Sequence, residues 1–459
     1  MYKPDTTVAA ISTPPGKGGV ALIRMSGSEA IEIAARCFVL RSKKPLSELP
    51  SRYTAYGDVI FEGAPIDDAM ITIFRAPHSY TGEDTVEICC HGGVLLTETV
   101  LSALFAAGAL QAEAGEFTRR ALLSGRLTLT EAEGIGNLLE AKSHAGIRMS
   151  AAAARTRLAR EIGGLHDSLL LLISSLYAKI DYPEEDLADL SNEEILSSLS
   201  TMIAQAEHLL STYRTGRAVA EGIPTVLCGA PNVGKSALYN ALCGEDLAIV
   251  TEHAGTTRDV LAATVPLGNV MLRLFDTAGL RDAIDPVERI GVDRSRSKME
   301  EAELLLAVFD GSRELSDEER EWIIQLKESD KCVVVLLNKA DISTPITDRN
   351  FADFEHVLSI SAKTGEGLGS LSLLVERLFT DDKIRLGEDA VIASARQYAA
   401  LTRAWEALSR AKEAFSMGLY ADIASSELEV ALSAFAELDG RTVSDEIIAE
   451  IFRRFCVGK

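Results

Sequence analysis

Apolar residues recur at alternating steps of four and three through Leu158, Ile162, Leu165, Leu169, Leu172 and Leu176. That spacing predicts the buried seam of one long amphipathic helix. The surrounding stretch, about 119–215, keeps a helical texture. It is broken by "DYPEEDLADLSNEE", whose seven carboxylates and lack of any base predict a solvated inter-helix loop with helix-start signals. Residues 1–118 read differently: short β-rich runs ("GGVALIRM", "DAMITIF", "TVEICC") alternate with Gly/Pro turns and an Ala/Leu-rich helical stretch near 94–107. From 224 to 380 strands and helices alternate as in βαβ units. Beyond 385 the helical period returns, with Leu401, Trp405, Leu408 and Phe415, then Leu428, Leu432, Phe435 and Leu438.

Two helical segments therefore flank an α/β segment, the pattern of a helical domain carrying an inserted domain. The expected fold class is multidomain α/β plus all-α, divided at 1–118, 119–215, 216–380 and 381–459. No internal repeat or low-complexity tract interrupts this order. A chain of 459 residues, 47% hydrophobic and 25% charged, suits a soluble globular protein of two to four domains. No apolar run is long enough to span a bilayer, and "MYKPDTTVAAIS" lacks a secretory pattern. Seven cysteines without a CxxC pair argue against a disulfide framework or a zinc site. A cytoplasmic location without membrane contact is expected. The net charge of −22 excludes a broad nucleic-acid footprint, so any RNA contact should be local or shared with a partner.

"PTVLCGAPNVGKSALYN" reads as a strand, a glycine-rich turn and a helix start. Gly229-x4-Gly234-Lys235-Ser236 fits GxxxxGK[ST]: backbone N–H groups wrap phosphates, Lys235 reaches the β/γ-phosphates and the Ser236 hydroxyl reaches Mg2+. Asn232, Val233 and Ala237 complete the nucleotide contacts expected of this turn. Asp276-Thr277-Ala278-Gly279 ends the apolar run "VMLRLF", placing a carboxylate to hold Mg2+ through water and the Gly279 N–H at the γ-phosphate. "VVVLLNKAD" ends another strand on Asn338, Lys339 and Asp341. A carboxylate there accepts from guanine N1–H and the N2 amino group. Adenine offers neither donor, so ATP would leave Asp341 unpaired. "SISAK" sets Ser361 and Ala362 after the next strand, with the Ala362 N–H expected at guanine O6.

Order and spacing predict a P-loop, Ras-like GTPase domain. Between the first two motifs lies "TEHAGTTRD" (251–259), the place of a first switch loop, where Thr257 is the candidate second hydroxyl for Mg2+. One position departs from expectation. In "DTAGLRDA" Leu280 stands where Ras has the glutamine that orients the attacking water.

"GAPNVGKS", "AGTTRD", "DTAGLRDA…VERIG" and the terminal "FCVGK" together resemble the bacterial tRNA-modification GTPase MnmE (TrmE) family. So do "TPPGKGGVALIRMSG", "TGEDTVE" and "GEFTRRALLSGRL", and the resemblance covers the whole chain. Val457 replaces the isoleucine usual in the family ending. The resemblance implies an answer to Leu280: K+ enters the nucleotide site where other GTPases use an arginine finger. Asn232 would supply a side-chain ligand, and Thr251, His253 and Thr256 would wrap the ion largely through backbone. Glu252, Ala254 and Gly255 belong to the same nucleotide-contacting loop. His253 then needs no imidazole chemistry. A cation fixed against the β/γ-oxygens stabilises charge developing in the transition state. Water orientation passes to Glu288 of "DPVERIG", and full loop closure requires two GTPase domains to meet.

The resemblance also implies a tetrahydrofolate-binding N-terminal domain, with Arg24, Glu87, Arg126 and Lys459 at the folate (5,10-methylenetetrahydrofolate or 5-formyltetrahydrofolate). Position 126 is often lysine in the family; arginine keeps the charge and changes the geometry. Cys456 of "RRFCVGK" is open to two readings. Arg453, Arg454 and Lys459 favour a thiolate if it is exposed, whereas Phe452 and Phe455 point to a docked helix end, where cysteines are commonly inert. The other six cysteines read as packing residues.

By resemblance, then, the chain is expected to be a homodimer working with the flavoprotein MnmG in a heterotetramer. The pair would add a carboxymethylaminomethyl or aminomethyl group to C5 of the wobble uridine of tRNA. FAD and NADH would belong to the partner. Two other readings stay open. One is a ribosome-assembly GTPase, which usually brings an RNA module or basic tail, neither visible here. The other is a GTP-regulated one-carbon enzyme.

Overall fold

In-and-out alternation along the central N-terminal strands shapes the first sheet. The computed structural model describes residues 6–155, 157–181, 191–247, 263–275, 301–342, 348–418, 421–442, 448, 451–453, 455, 457 and 458. These fall into two compact units, one drawn from residues 1–136, 154–171 and 432–459, the other from 137–153 and 172–431.

In the first unit, strands β1 (Val8–Ile11), β2 (Val20–Ser26), β3 (Phe38–Leu40), β4 (Tyr53–Phe61), β5 (Ala64–Phe74), β6 (Thr85–His91) and β7 (Leu110–Gln111) form a sheet of order β3-β4-β5-β6-β2-β1-β7. All pairings are antiparallel except β1 with β7. Ile71 and Ile73 of β5, Val86 and Ile88 of β6, and Ile23 and Met25 of β2 are buried in one core, against helices Ala30–Cys37 and Val94–Ala106. Each such isoleucine contributes about 1.5–3 kcal/mol by leaving water. The intervening residues, among them Arg24, Glu87 and Met70, emerge on the opposite face, as period two requires.

The C-terminal segment docks on this unit. Phe452 and Phe455 are buried with Ala132 and Ile448, their rings 5.1 Å apart. Val457 bridges Ala114, and Ser12 Oγ donates to the Gly458 carbonyl at 2.8 Å. Gly458 has φ +100°, and a Cβ there would stand 2.3 Å from the Ile11 carbonyl oxygen.

The leucine seam lies on helix Arg157–Asp181, and all six of its predicted positions are buried. Helix Asn192–Ser211, at the end of the acidic run, starts on a Ser191–Glu194 capping box. Ser394 and Gln397 form the same device for helix Ala395–Ser416, which buries Leu401, Leu408 and Phe415 and leaves Trp405 half-buried. Trp405 Nε1 donates to Glu207 Oε1 at 3.1 Å. Helix Ala421–Asp439 buries Leu428, Phe435 and Leu438.

The second unit holds the parallel sheet expected between 224 and 380. Strands β8 (Ile223–Cys228), β9 (Ala263–Leu267), β10 (Val270–Leu274), β11 (Leu304–Asp310), β12 (Cys332–Asn338) and β13 (Val357–Ser359) run in the order β13-β12-β11-β8-β10-β9, with β9 alone antiparallel. Every residue of β11 is buried. Leu304, Leu306 and Val308 face one core with helices Lys235–Leu247 and Leu368–Phe379, and Leu305, Ala307 and Phe309 face the other with helix Asp317–Lys327. A sheet covered on both faces explains why its central strands read as continuous apolar runs. Among the described residues no helix is long and apolar enough to cross a membrane.

Candidate functional site

The strand β8 lies between β11 and β10, where the chain's crossovers change direction across the sheet. In parallel α/β sheets ligands bind outside the carboxyl ends of the strands at such a switch point. The turn after β8 and the residues closing β12 and following β13 all lie at those ends. Three of the sequence motifs thus meet at one edge.

Close approach shapes the turn. Gly229 has φ +150°, with a Cβ excluded by the Val308 carbonyl oxygen at 2.3 Å, and Gly234 has φ +99°, with a Cβ excluded by Asn338 Nδ2 at 2.2 Å. Glycine is required at both positions. Asn232 takes φ +63° and is exposed, as are Ser236 and Ala237, while Val233 is buried. Lys235 Nζ donates to the carbonyls of Gly229 at 2.6 Å and Ala230 at 2.8 Å. The ammonium is thus inside the turn it is expected to share with phosphates. Burial holds its pKa below the ordinary lysine value. The exposed Ser236 hydroxyl at the start of helix Lys235–Leu247 and the exposed Asn232 amide are hard oxygen donors, which fit Mg2+ and K+ respectively.

The base-side motif is built around Asn338. Its Nδ2 donates to the Val233 carbonyl at 2.9 Å, and its Oδ1 accepts from the Ala362 N–H at 2.9 Å. The Ala362 amide expected at guanine O6 is therefore engaged by Asn338, and a base-edge role requires that bond to be shared or exchanged. Lys339 takes φ +69°, and its ammonium pairs with Asp310 at 2.6 Å. Asp341 is exposed and accepts from Ser361 Oγ at 2.7 Å. That bond holds its carboxyl below the ordinary range, so Asp341 is ionised and oriented. Residues 251–257, 276–279, Leu280 and Glu288 lie outside the described residues, as do Cys456 and Lys459.

In the first unit Arg24 and Glu87 are direct cross-strand partners of β2 and β6. Arg24 Nε and Nη2 reach Glu87 Oε1 at 2.9 and 2.8 Å. The guanidinium lies 5.5 Å from the centre of the Tyr80 ring and 5.7 Å from that of Phe117. Phe117 is fully buried, which leaves a cation, a carboxylate and the half-buried Tyr80 ring, groups of the kind that hold a flat, polar-edged heterocycle such as a pterin. Arg126 is exposed, and its Cγ would lie 3.3 Å from a Cβ on Gly82.

Sequence reading missed the group beneath this face. Arg120, its side chain 1% exposed, pairs with Glu83 at 2.9 Å and Glu116 at 2.8 Å and donates to the Thr6 carbonyl at 2.8 Å. Nothing in "FTRR" separates a buried arginine from a surface one. Asp310 was also missed. A carboxylate closing the apolar run "LLLAVFD" was its available signal, the same signal that marked Asp276.

Among the described residues one cluster, Asp67, Asp68 and His91, has metal-ligand chemistry. Its groups already satisfy one another: His91 Nδ1 meets Asp67 Oδ1 at 2.8 Å, and Tyr56 donates to Asp68. Cys37, Cys90, Cys228 and Cys243 are buried and Cys89 and Cys332 half-buried. Burial pushes the thiols of Cys37 and Cys90 up to about 11 and that of Cys228 to about 12, as packing residues require.

Comparison with known proteins adds kinship. The family model "GTP-binding protein TrmE N-terminus" matches residues 7–126, and "MnmE helical domain" matches 129–456. The tRNA modification GTPase MnmE of Symbiobacterium thermophilum is 41% identical over 459 residues, covering 99% of this chain and all of the relative. The proteins of the same description from Heliobacterium modesticaldum and Listeria welshimeri are each 39% identical, with 99% of both chains covered. Among solved structures, the G domain of the T. maritima FeoB iron transporter matches 33% of this chain at 23% identity with a TM-score of 0.26, too slight a likeness to argue from.

Proposed function

This chain belongs to the tRNA modification GTPase MnmE family, and on that premise we propose that it is a K+-dependent, homodimeric GTPase acting with an MnmG-type flavoprotein on the wobble uridine of tRNA. The GTPase role in tRNA modification follows from the family itself. The nucleotide-binding part of this reading is supported by one observation: Asn338 joins the base-side loop to the phosphate-side turn through Val233 and Ala362. A single nucleotide can then be held at both ends by one framework.

The chain's own residues divide the work. Asp341, kept ionised by Ser361, accepts from the guanine edge and so selects against adenine. The turn 229–235 offers backbone N–H groups to the phosphates, and Lys235 exchanges its two carbonyl partners for phosphate oxygens. Glu288 orients the attacking water in place of the glutamine that Leu280 replaces. When bound, Mg2+ at Ser236 and Thr257 and K+ at Asn232, Thr251, His253 and Thr256 supply positive charge against the oxygens that gain charge. Dimerisation of two GTPase domains closes loop 251–257 over the nucleotide. GTP turnover then drives opening and closing and leaves the chemistry on the base to the partner complex.

Arg24, Glu87, Arg126 and Lys459 would hold the folate at the N-terminal unit, and 5,10-methylenetetrahydrofolate bound there would supply the methylene carbon added at uridine C5. The product is a carboxymethylaminomethyl or aminomethyl group, and the setting is the cytoplasm. Mass spectrometry of tRNA nucleosides from a strain lacking the gene tests this reading. C5-modified wobble uridine should disappear and return with the wild-type gene. Unchanged modification overturns the proposal.

A further inference from the structure

The strands β11 and β12 run parallel in register, with Asp310 opposite Asn338. A carboxylate ending β11 is thereby set beside the first residue of the base-side motif. Asp310 is nearly buried, its side chain 9% exposed, and both oxygens are engaged. Oδ2 accepts from Lys339 Nζ at 2.6 Å, and Oδ1 accepts from Ser312 N at 3.0 Å and Ser312 Oγ at 2.6 Å. Arg313 Nε stands 3.8 Å from Oδ2 but pairs more closely with Glu319.

Lys339 is a non-glycine residue at positive φ, a conformation that persists where the surroundings over-determine it. Three residues of the motif are fixed from outside it, two of them by the loop after β13 and one by the end of β11. Asn338 is held by Val233 and Ala362, Asp341 by Ser361, and Lys339 by Asp310. The Ala340 N–H between them donates to the Ile360 carbonyl at 3.0 Å. The functional reading accounts for Asn338 and Asp341 and leaves the Asp310–Lys339 pair without a purpose.

We propose that Asp310 is a positioning residue for guanine-nucleotide binding, pinning the Lys339 ammonium so that the loop turning at Lys339 delivers Asp341 to the base edge. It touches no substrate and acts through Lys339. Burial alone would raise the Asp310 carboxyl, yet the bonds from Lys339 and Ser312 hold it below the ordinary carboxylate range, so the anchor is anionic. An ion pair whose carboxylate is nearly out of water, with its remaining lone pairs satisfied, favours one geometry. The inference rests on the reading that Asp341 takes the guanine edge.

A double-mutant cycle on the full chain tests it, with methylanthraniloyl-GDP as the fluorescent probe. Asp310→Asn and Lys339→Met should each weaken binding about 10-fold through faster dissociation, and the double variant should bind no more weakly than Lys339→Met. Asp310→Glu should recover part of the loss. Independent losses that multiply in the double variant, or wild-type binding by Asp310→Asn, would overturn the proposal. If Asp310→Asn fails to fold, Ser312→Ala keeps the charge while loosening the anchor, and its loss must likewise vanish on the Lys339→Met background. Asp341→Asn separates the two claims. A shift of preference from guanosine to xanthosine diphosphate supports the base-edge reading. Retained guanine preference overturns that reading, whatever the cycle reports of Asp310.

Discussion

Asn338 Nδ2 donates to the Val233 carbonyl at 2.9 Å, and this bond ties the end of β12 to the glycine-rich turn after β8. The two residues are 105 positions apart in sequence. The same side chain holds the Ala362 N–H, so one amide braces three loops against one another.

Truncating it should disable the site more than the fold. Asn338→Ala leaves a buried carbonyl and an N–H unpaired, for a loss of about 1–3 kcal/mol per group. GDP affinity measured by calorimetry should fall about 100-fold, while far-ultraviolet circular dichroism at 25 °C stays unchanged.

A contrast in the first unit separates stability from binding. Arg120 is buried between Glu83 and Glu116, so Arg120→Met strands two carboxylates and should cost about 3–5 kcal/mol. Arg126 is exposed, and Arg126→Met should change stability by less than about 0.5 kcal/mol while weakening tetrahydrofolate binding. Urea unfolding and a folate titration on both variants check the pair.

The difference between these two arginines also marks where sequence reading stops. The leucine seam of 158–176 and the turn 229–236 were readable because a helix period and a phosphate loop are written in neighbouring residues. The apolar runs that became β8, β10 and β12 were readable for the same reason. The Arg24–Glu87 pair depends on the antiparallel register of β2 and β6, and the Asp310–Lys339 pair on the parallel register of β11 and β12. Register is a tertiary property, set by which faces are buried. Arg119 and Arg120 are adjacent in sequence, and only the fold takes Arg120 into the interior.

Acid stability of the second unit should depend on Glu319. Burial opposes its ionisation, but bidentate bonding from Arg313 at 2.8 and 2.7 Å and the Ser316 N–H at 2.9 Å leave its carboxyl below the ordinary range. A folded-state pKa below the unfolded one contributes stability that is present above the unfolded value, about 4.3, and lost as pH falls through the folded value. Glu319→Gln should therefore flatten the decline of the urea midpoint below about pH 4.5. An unchanged acid limb would count against this assignment.

Gly458 should hold the C-terminal segment in place. A Cβ there meets the Ile11 carbonyl oxygen at 2.3 Å, and φ is +100°. Gly458→Ala should release the bond from Ser12 and the bridge between Ala114 and Val457, at a cost of about 1–3 kcal/mol. Faster carboxypeptidase trimming of the tail, with the thermal transition of the second unit unmoved, is the expected result.

In the proposed mechanism a guanine nucleotide bound by this framework is hydrolysed with a cation and Glu288 in place of the glutamine absent at Leu280. GTP hydrolysis by the purified chain in matched KCl and NaCl, with Glu288→Ala added to the KCl arm, tests it most directly. Strong stimulation by K+ over Na+, lost in the variant while GTP binding persists, is the expected result. Equal, slow rates in both salts, or full K+ stimulation in Glu288→Ala, would contradict it.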